Sequence, residues 1–368
     1  MQAAHQEVGV VSKTPRIKIC PECGVPKRIS KENMWLDNGK IVEKKNPAHR
    51  MIIIENDSIT GVFKTIERII GVSIERIIVE SERKLSYDYV SHFVPGLLIK
   101  LVRLTHIDVS SRSTVLQGQL MGFGDIEIIG KRLRGDEGDY VKLGVKDVWF
   151  PAALAGVAAG ALEALIGKDC TATYEETSPG YHEFTTTVST KDKEFEERLP
   201  LPEYSNKPGD IHLERCGTCG GPKALEGFEW KIGPGIIVNR ESGQRMVVSG
   251  PGEHETIFNE LEKELGEDIT RVAAEAQRSF VKSGPFSAKD TGDLEGFRAQ
   301  LALRGLGNLR EMESTPEVLR LRLENSCLHP ILIGLAHGLF ELASGREGEV
   351  SWESAADGDL TIEVSPRA

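Results

Sequence analysis

Apolar side chains recur along this chain in two matching patterns. Val62, Phe63, Ile66, Ile69 and Ile70 fall at the three-and-four spacing of one helix face, and so do Ile257, Phe258, Leu261 and Leu265. The glycine after each run, Gly71 or Gly266, predicts a helix C-cap. Ile74, Ile77 and Ile78, like Ile269, Val272 and Ala273, then open a second helical face. Upstream, Trp35 with Ile41 and Val42, and Trp230 with Ile236, Ile237 and Val238, flank the turn sequences Asn38-Gly39 and Gly233-Pro234-Gly235, which predicts a short hairpin in each place. Downstream, Gly122-Phe123-Gly124 and Gly305-Leu306-Gly307 sit among β-like segments. They read as bends rather than nucleotide loops, since no helix start with a third glycine follows.

A last helix carries small residues four apart: Ala152, Ala153, Gly156, Ala159 and Gly160 in one place, Gly334 and Gly338 in the other. That spacing lets another backbone approach closely, and Glu163 together with the short span argues for a buried helix rather than a membrane one. The helix stops at Gly167 or Gly345. Alternating segments from Cys170 and from Glu349, with 184–188 and 360–364, predict a C-terminal antiparallel hairpin.

The recurrence is an internal duplication. At an offset of 195, Trp35 matches Trp230, Arg50-Met51 matches Arg245-Met246, Phe63 matches Phe258, Gly71 matches Gly266, Glu80 matches Glu275 and Arg83 matches Arg278. At an offset of 178, Gly156 matches Gly334, Gly160 matches Gly338, Glu163 matches Glu341 and Tyr174-Glu175 matches Trp352-Glu353, so copy 1 holds about 17 more residues in its middle. The division expected is a tail at 1–16, a knuckle and hairpin at 17–56, an α+β unit at 57–190, a charged, proline-rich linker at 191–211, a second knuckle and hairpin at 212–252 and a second α+β unit at 253–368.

Charge is uneven between the halves. Residues 1–190 hold 24 basic and 24 acidic side chains, whereas 191–368 hold 21 and 32, so the net charge of -11 belongs to the second half. Such a half is a poor binder of phosphate backbones, so no nucleic-acid partner is expected, and Lys131-Arg132-Arg134 reads as a solvated loop. The stretch before Ile17 lacks the basic start and apolar core of a signal peptide, and no apolar run reaches membrane-spanning length. A cytoplasmic protein is expected, and six cysteines with four in knuckles suit a reducing compartment.

The chemistry is concentrated in those knuckles. Cys20-Pro-Glu-Cys23-Gly-Val-Pro-Lys and Cys216-Gly-Thr-Cys219-Gly-Gly-Pro-Lys each place two thiols three apart, closed by a glycine that lets the backbone turn toward a metal. Each is half of a tetrahedral site and neither is followed by its own second half. One site formed by Cys20, Cys23, Cys216 and Cys219 across a pseudo-two-fold axis is expected, clamping a pseudo-dimer within the chain; in the rival arrangement each pair is completed by a second molecule, and bare thiol turns are the bland alternative. Zinc fits a structural role better than iron, although the Cys-Pro-x-Cys-Gly form also occurs in rubredoxin-like iron sites.

No catalytic constellation accompanies the knuckles. His329 and His337 lie in the last helix of copy 2, but Pro151 and Ala159 occupy those positions in copy 1, and His337 reads as structural. Glu175 and Glu176 are adjacent on a strand and point to opposite faces, which rules out a joint acid/base role. Phe63, Phe258, Trp149 and Phe150 read as core rather than pocket lining.

The order small-residue helix, glycine, strand, turn, strand over 156–188 and 334–364 resembles the 4-vinyl reductase type, or hydrocarbon-binding, domain. That family is related in fold to ligand-binding subunits of the transport-protein-particle complex and to haem nitric-oxide-binding domains. The resemblance covers each copy from about Asp57 and Glu253 onward, and departs from the family in its cysteines, with Cys327 before the helix of copy 2 and Cys170 in copy 1 alone. It implies an α+β domain, helices on an antiparallel sheet, with an apolar pocket between the layers. The function implied is binding or sensing of a hydrophobic small molecule. An enzyme or enzyme accessory acting on a hydrophobic or tetrapyrrole-like substrate is the alternative, as is a scaffold for an unknown protein partner, and a homodimer remains open.

Overall fold

In the computed structural model, residues 17–97, 99–100, 111–190, 199–200, 202–204, 206–265, 269–286, 293–355 and 357–367 are described. Copy 1 runs α1 (Lys27–Glu32), β1 (Asn33–Trp35), β2 (Ile41–Glu43), β3 (Arg50–Glu55), α2 (Asn56–Ile70), α3 (Glu75–Phe93), α4 (Ser111–Met121), β4 (Asp125–Arg132), β5 (Tyr140–Lys146), α5 (Pro151–Ile166), β6 (Cys170–Ser178) and β7 (Tyr181–Val188). Copy 2 repeats the order. A 3-10 turn (Lys223–Gly227) replaces α1, followed by β8 (Phe228–Lys231), β9 (Ile236–Asn239), β10 (Arg245–Ser249), α6 (Pro251–Leu265), α7 (Ile269–Ser283), α8 (Leu294–Leu303), β11 (Asn308–Ser314), β12 (Leu319–Glu324), α9 (His329–Ser344), β13 (Gly348–Ser354) and β14 (Leu360–Pro366). The mixed α+β class expected from the sequence is the one observed.

Three antiparallel sheets organise these elements. A six-stranded sheet has the order β1-β2-β3-β10-β9-β8, and each copy adds a four-stranded sheet, β4-β5-β7-β6 or β11-β12-β14-β13. The hairpins at the two tryptophans form as the turn sequences predict. A third strand extends each of them, which the hairpin reading did not include: β3 and β10 pair with each other, Met246 opposite Glu55 and Ser249 opposite Ile52, and fuse the two hairpins into one sheet. Ile52, Ile53 and Ile54 are buried on both faces, so the run lacks the alternation that marks a half-exposed strand.

The copies are intertwined. Each hairpin lies on the α+β unit of the other copy: Trp35 Nε1 donates to the Leu303 carbonyl at 2.9 Å, and Trp230 Nε1 to the Leu120 carbonyl at 3.2 Å. The Arg50 guanidinium donates to the carbonyls of Gly305 and Asn325, each at 2.7 Å, and Arg245 donates to that of Gly122 at 2.9 Å. The two Gly-x-Gly segments are bends, as read, and they receive the hairpin tips. Gly124 N–H donates to the Gly235 carbonyl at 3.0 Å, and a Cβ on Gly39 would run into the Gly307 carbonyl.

Helices follow the same crossing. α2 packs on α7 and α3 on α6, while α5 packs on α3 and α9 on α7 within a copy. The small-residue stripe permits the last two contacts, for a Cβ on Gly156 would meet the Val79 carbonyl, on Gly160 the Arg83 carbonyl and on Gly334 the Ala274 carbonyl. Beside that close approach Arg83 pairs with Glu163 at 2.9 Å, and Arg278 with Glu341 at 2.7 Å. Gly71, Gly167 and Gly345 cap their helices with φ of 73°, 74° and 68°, the left-handed conformation glycine tolerates; Gly266 lies outside the described residues. Ile69 departs from its expected place on the buried face and is 56% exposed, while Ile70 beside it packs against the core.

Candidate metal centre and ligand cavities

Both knuckles fold alike. Cys20 N–H donates to Val25 O at 2.9 Å and Gly24 N–H to Cys20 O at 3.0 Å; Cys216 N–H donates to Gly221 O at 2.8 Å and Gly220 N–H to Cys216 O at 2.9 Å. Gly24 and Gly220 share a φ of 73°. The crossing of the copies brings the knuckles face to face, with Cys20 Sγ 3.6 Å from Cys216 Sγ and Cys23 Sγ 3.6 Å from Cys219 Sγ. All four sulfurs lie within 4.8 Å of one another. A tetrahedron of thiolates about 2.3 Å from zinc has edges of about 3.8 Å, so these residues fit such an ion. Among the described residues this is the one group of three or more Cys, His, Asp or Glu side chains with metal-ligand spacing.

Surroundings support the cluster from one side. The Glu22 carboxylate of the first knuckle accepts from the Gly217 and Thr218 N–H groups, at 3.1 and 2.9 Å, and from the Thr218 hydroxyl at 2.7 Å, and these bonds hold its pKa low. The backbone N–H of Cys23 brings the Cys20 thiol down to about 7, whereas burial raises Cys23 and Cys216. A metal taken up here displaces protons from the raised thiols. Cys170 and Cys327 stand apart, each buried and pushed up to about 12 by that burial, which leaves them inert thiols.

An apolar cavity of about 90 Å³ opens in copy 1 between α4, α5 and the four-stranded sheet. Gly118, Phe123, Leu143, Leu154, Ala161 and Leu162 are among its walls. Structural equivalence explains why copy 2 differs. Phe123 N–H donates to Gly118 O just as Leu306 N–H donates to Leu301 O, so Leu301 stands where copy 1 has Gly118; on the last helix Leu339 and Phe340 stand for Ala161 and Leu162. All three larger side chains are buried, and Leu301 and Leu339 border a cleft of different character. That cleft, of about 350 Å³, is polar, with Glu55, Asn239, Gln300 and Arg304 in its walls beside those leucines.

The other residues singled out in the sequence are structural. His337 Nε2 bonds the Gly348 carbonyl at 3.0 Å beside Glu341, and His329 bonds Ser326 and Ser354 through its two nitrogens. Phe63 meets Phe258 across the copies in a tilted contact, with ring centroids 5.4 Å apart, and stacks on Phe150 at 6.0 Å, while Trp149 stacks on Phe123. Glu175 and Glu176 are exposed on β6. Arg132 pairs with Asp136 and Asp139, Arg134 is exposed and Lys131 borders the cavity, so the basic run forms no separate patch. What sequence reading missed is a second cavity at the crossing, mostly apolar but with Glu82 and Glu253 in its wall. The duplication held a signal: at an offset of 195 these two acids correspond to Gln277 and Ser58.

No helix among the described residues is long and apolar enough to cross a membrane. No protein-family model matches the chain, and no curated protein is similar to it. Among solved structures, the phenol-responsive sensory domain of the transcription activator PoxR aligns at 14% identity and a TM-score of 0.32, over 48% of this chain and 95% of that one. An H-NOX from T. Tengcongensis aligns at 12% and 0.23, over 33% and 75%. An oxygen-binding H-NOX domain related to soluble guanylate cyclases aligns at 14% and 0.22, over 32% and 71%. Likenesses this distant say nothing by themselves about what this chain does, which rests on its own geometry.

Proposed function

We propose that this chain is a binding or sensor protein for a hydrophobic small molecule, with a four-cysteine zinc site at Cys20, Cys23, Cys216 and Cys219 holding its two copies in register. The observation that carries the binding reading is the apolar cavity of copy 1, walled by Gly118, Ala161 and Leu162 where copy 2 has the larger Leu301, Leu339 and Phe340 and a polar cleft in place of an apolar one. A cavity so lined stays dry and gains by admitting an apolar guest. One molecule per chain is the expected stoichiometry, in place of one per copy. The metal reading rests on the sulfur spacing, and zinc suits it because a clamp needs no redox chemistry.

The test writes the packing of copy 2 into copy 1. Ala161→Leu combined with Leu162→Phe should abolish uptake of a small hydrocarbon such as ethylbenzene, which needs this cavity together with the space adjoining it at Thr114 and Phe123, followed by native mass spectrometry or calorimetry, while circular dichroism and metal content stay unchanged. Uptake that survives the filled cavity would refute the assignment. The metal-loaded protein should be colourless, and visible absorption of a thiolate iron site would replace zinc by iron.

A further inference from the structure

The second cavity, of about 80 Å³, adjoins the apolar one and shares Thr114, Gly118, Phe123 and Val157 with it as a common wall. Its far wall differs in kind. Glu82 on α3 and Glu253 on α6, one from each copy, are 4% and 5% exposed. Oε1 of Glu253 accepts from the Gly250 N–H at 2.8 Å, but its Oε2 has no partner. Gln117, also 5% exposed, donates through Nε2 to the Tyr89 hydroxyl at 2.9 Å and leaves Oε1 without a partner. Two buried acceptors thus face one cavity, and a buried acceptor left unmet is destabilising until a donor reaches it.

Charge in this wall is as unbalanced as its hydrogen bonding. Among the described residues lining the cavity there is no lysine or arginine, and His49 is engaged by Glu43 at 3.2 Å. Burial, then the charge of Glu253, raises the Glu82 pKa well above the carboxylate range, and burial pushes Glu253 up to about 7. The acids are not a requirement of packing. At the pseudo-symmetric crossing Ser58 Oγ donates to Gln277 Oε1 at 2.5 Å, a neutral pair doing the same structural work. Nor do they form a metal site with a neighbouring histidine, for the four cysteines alone have ligand spacing among the described residues.

Size and polarity then define a guest. Each cavity alone is smaller than the roughly 150 Å³ that admits a benzene, whereas the two joined exceed it. We propose that the adjoining cavities form one amphiphile site that takes a primary amine on an apolar body about the size of one aromatic ring, its ammonium donating to Glu82, Glu253 and Gln117. An ammonium supplies three donors and the missing positive charge, where an alcohol supplies one donor and no charge. This inference rests on the reading of the apolar cavity given under the proposed function.

Calorimetry on the full metal-loaded chain at about pH 8 tests it with three probes of one shape: 2-phenylethylamine, 2-phenylethanol and ethylbenzene. The amine should bind at least about tenfold tighter than the alcohol. In E82Q/E253Q that preference should vanish while the ethylbenzene Kd stays within about twofold; circular dichroism reports whether the variant folds, and the Gln277 and Ser58 pair is the precedent that it does. Should the alcohol or ethylbenzene bind as tightly as the amine, or the preference survive in E82Q/E253Q, the amine assignment is overturned and the apolar reading stands. Binding of none of the three overturns both.

Discussion

At the scale of single residues, neighbours decide the chemistry of each group. Cys216→Ser should remove the metal, because it takes one corner from a site assembled from both copies, whereas Cys170→Ser and Cys327→Ser should keep it; metal content per chain checks all three. The buried acids make a prediction in pH. Glu253 has a folded pKa of about 7, above its ordinary 4.5, so the stability it contributes is full below about pH 4.5, declines as pH rises through about 7 and is level beyond. That decline is on the order of 3 kcal/mol at most. Glu82 and Glu255 shift the same way, while His254, held neutral by burial at about 3, loses stability in the opposite sense as pH falls below about 6.5. His254 is common to wild type and Glu253→Gln, so the difference in their urea midpoints between pH 5 and pH 8 isolates the acid. An identical pH dependence in the two proteins would contradict the assignment. The cysteines were legible in the sequence because Cys-x-x-Cys-Gly spacing carries its own chemistry. Glu82 and Glu253 were not, since a helix acid looks the same in sequence whether it faces water or a cavity.

Among elements, α2, α3 and α5 with their equivalents α6, α7 and α9, the two hairpins and the C-terminal hairpins follow from periodicity and glycine stops, whereas α1, α4 and α8 were not read. β3 and β10 do not, because a strand buried on both faces has no alternation to read. The small-residue stripe was legible as a close contact, yet its partner was not: only the fold shows α3 against α5 and α7 against α9. Gly156→Ala should therefore cost about 1–3 kcal/mol, as its Cβ must push the Val79 carbonyl away, and Gly334→Ala should cost a similar amount against Ala274. Chemical denaturation reads both. Gly61, where a Cβ meets nothing within 4 Å, is the control: Gly61→Ala lies on α2 and should be neutral or stabilising.

For the whole molecule, the crossing of the copies matters most. Duplication was plain in the sequence, but an offset pairs equivalent residues and says nothing about which copy a hairpin rests on. The Trp35–Leu303 and Trp230–Leu120 bonds, the β3–β10 pairing and the facing knuckles tie each copy to the other rather than to itself. Unfolding should accordingly be one cooperative transition, with fluorescence and circular dichroism coincident, and two separated transitions would contradict the intertwining. The same crossing brings two half-sites together as one candidate metal centre and leaves the two copies with cavities of unlike character, apolar in copy 1 and polar in copy 2. Native mass spectrometry of the monomeric chain, loaded with zinc and offered 2-phenylethylamine, reads both consequences at once. One metal ion and one small molecule per chain is the predicted mass; two ions, two small molecules, or a metal present only in dimers would contradict the account.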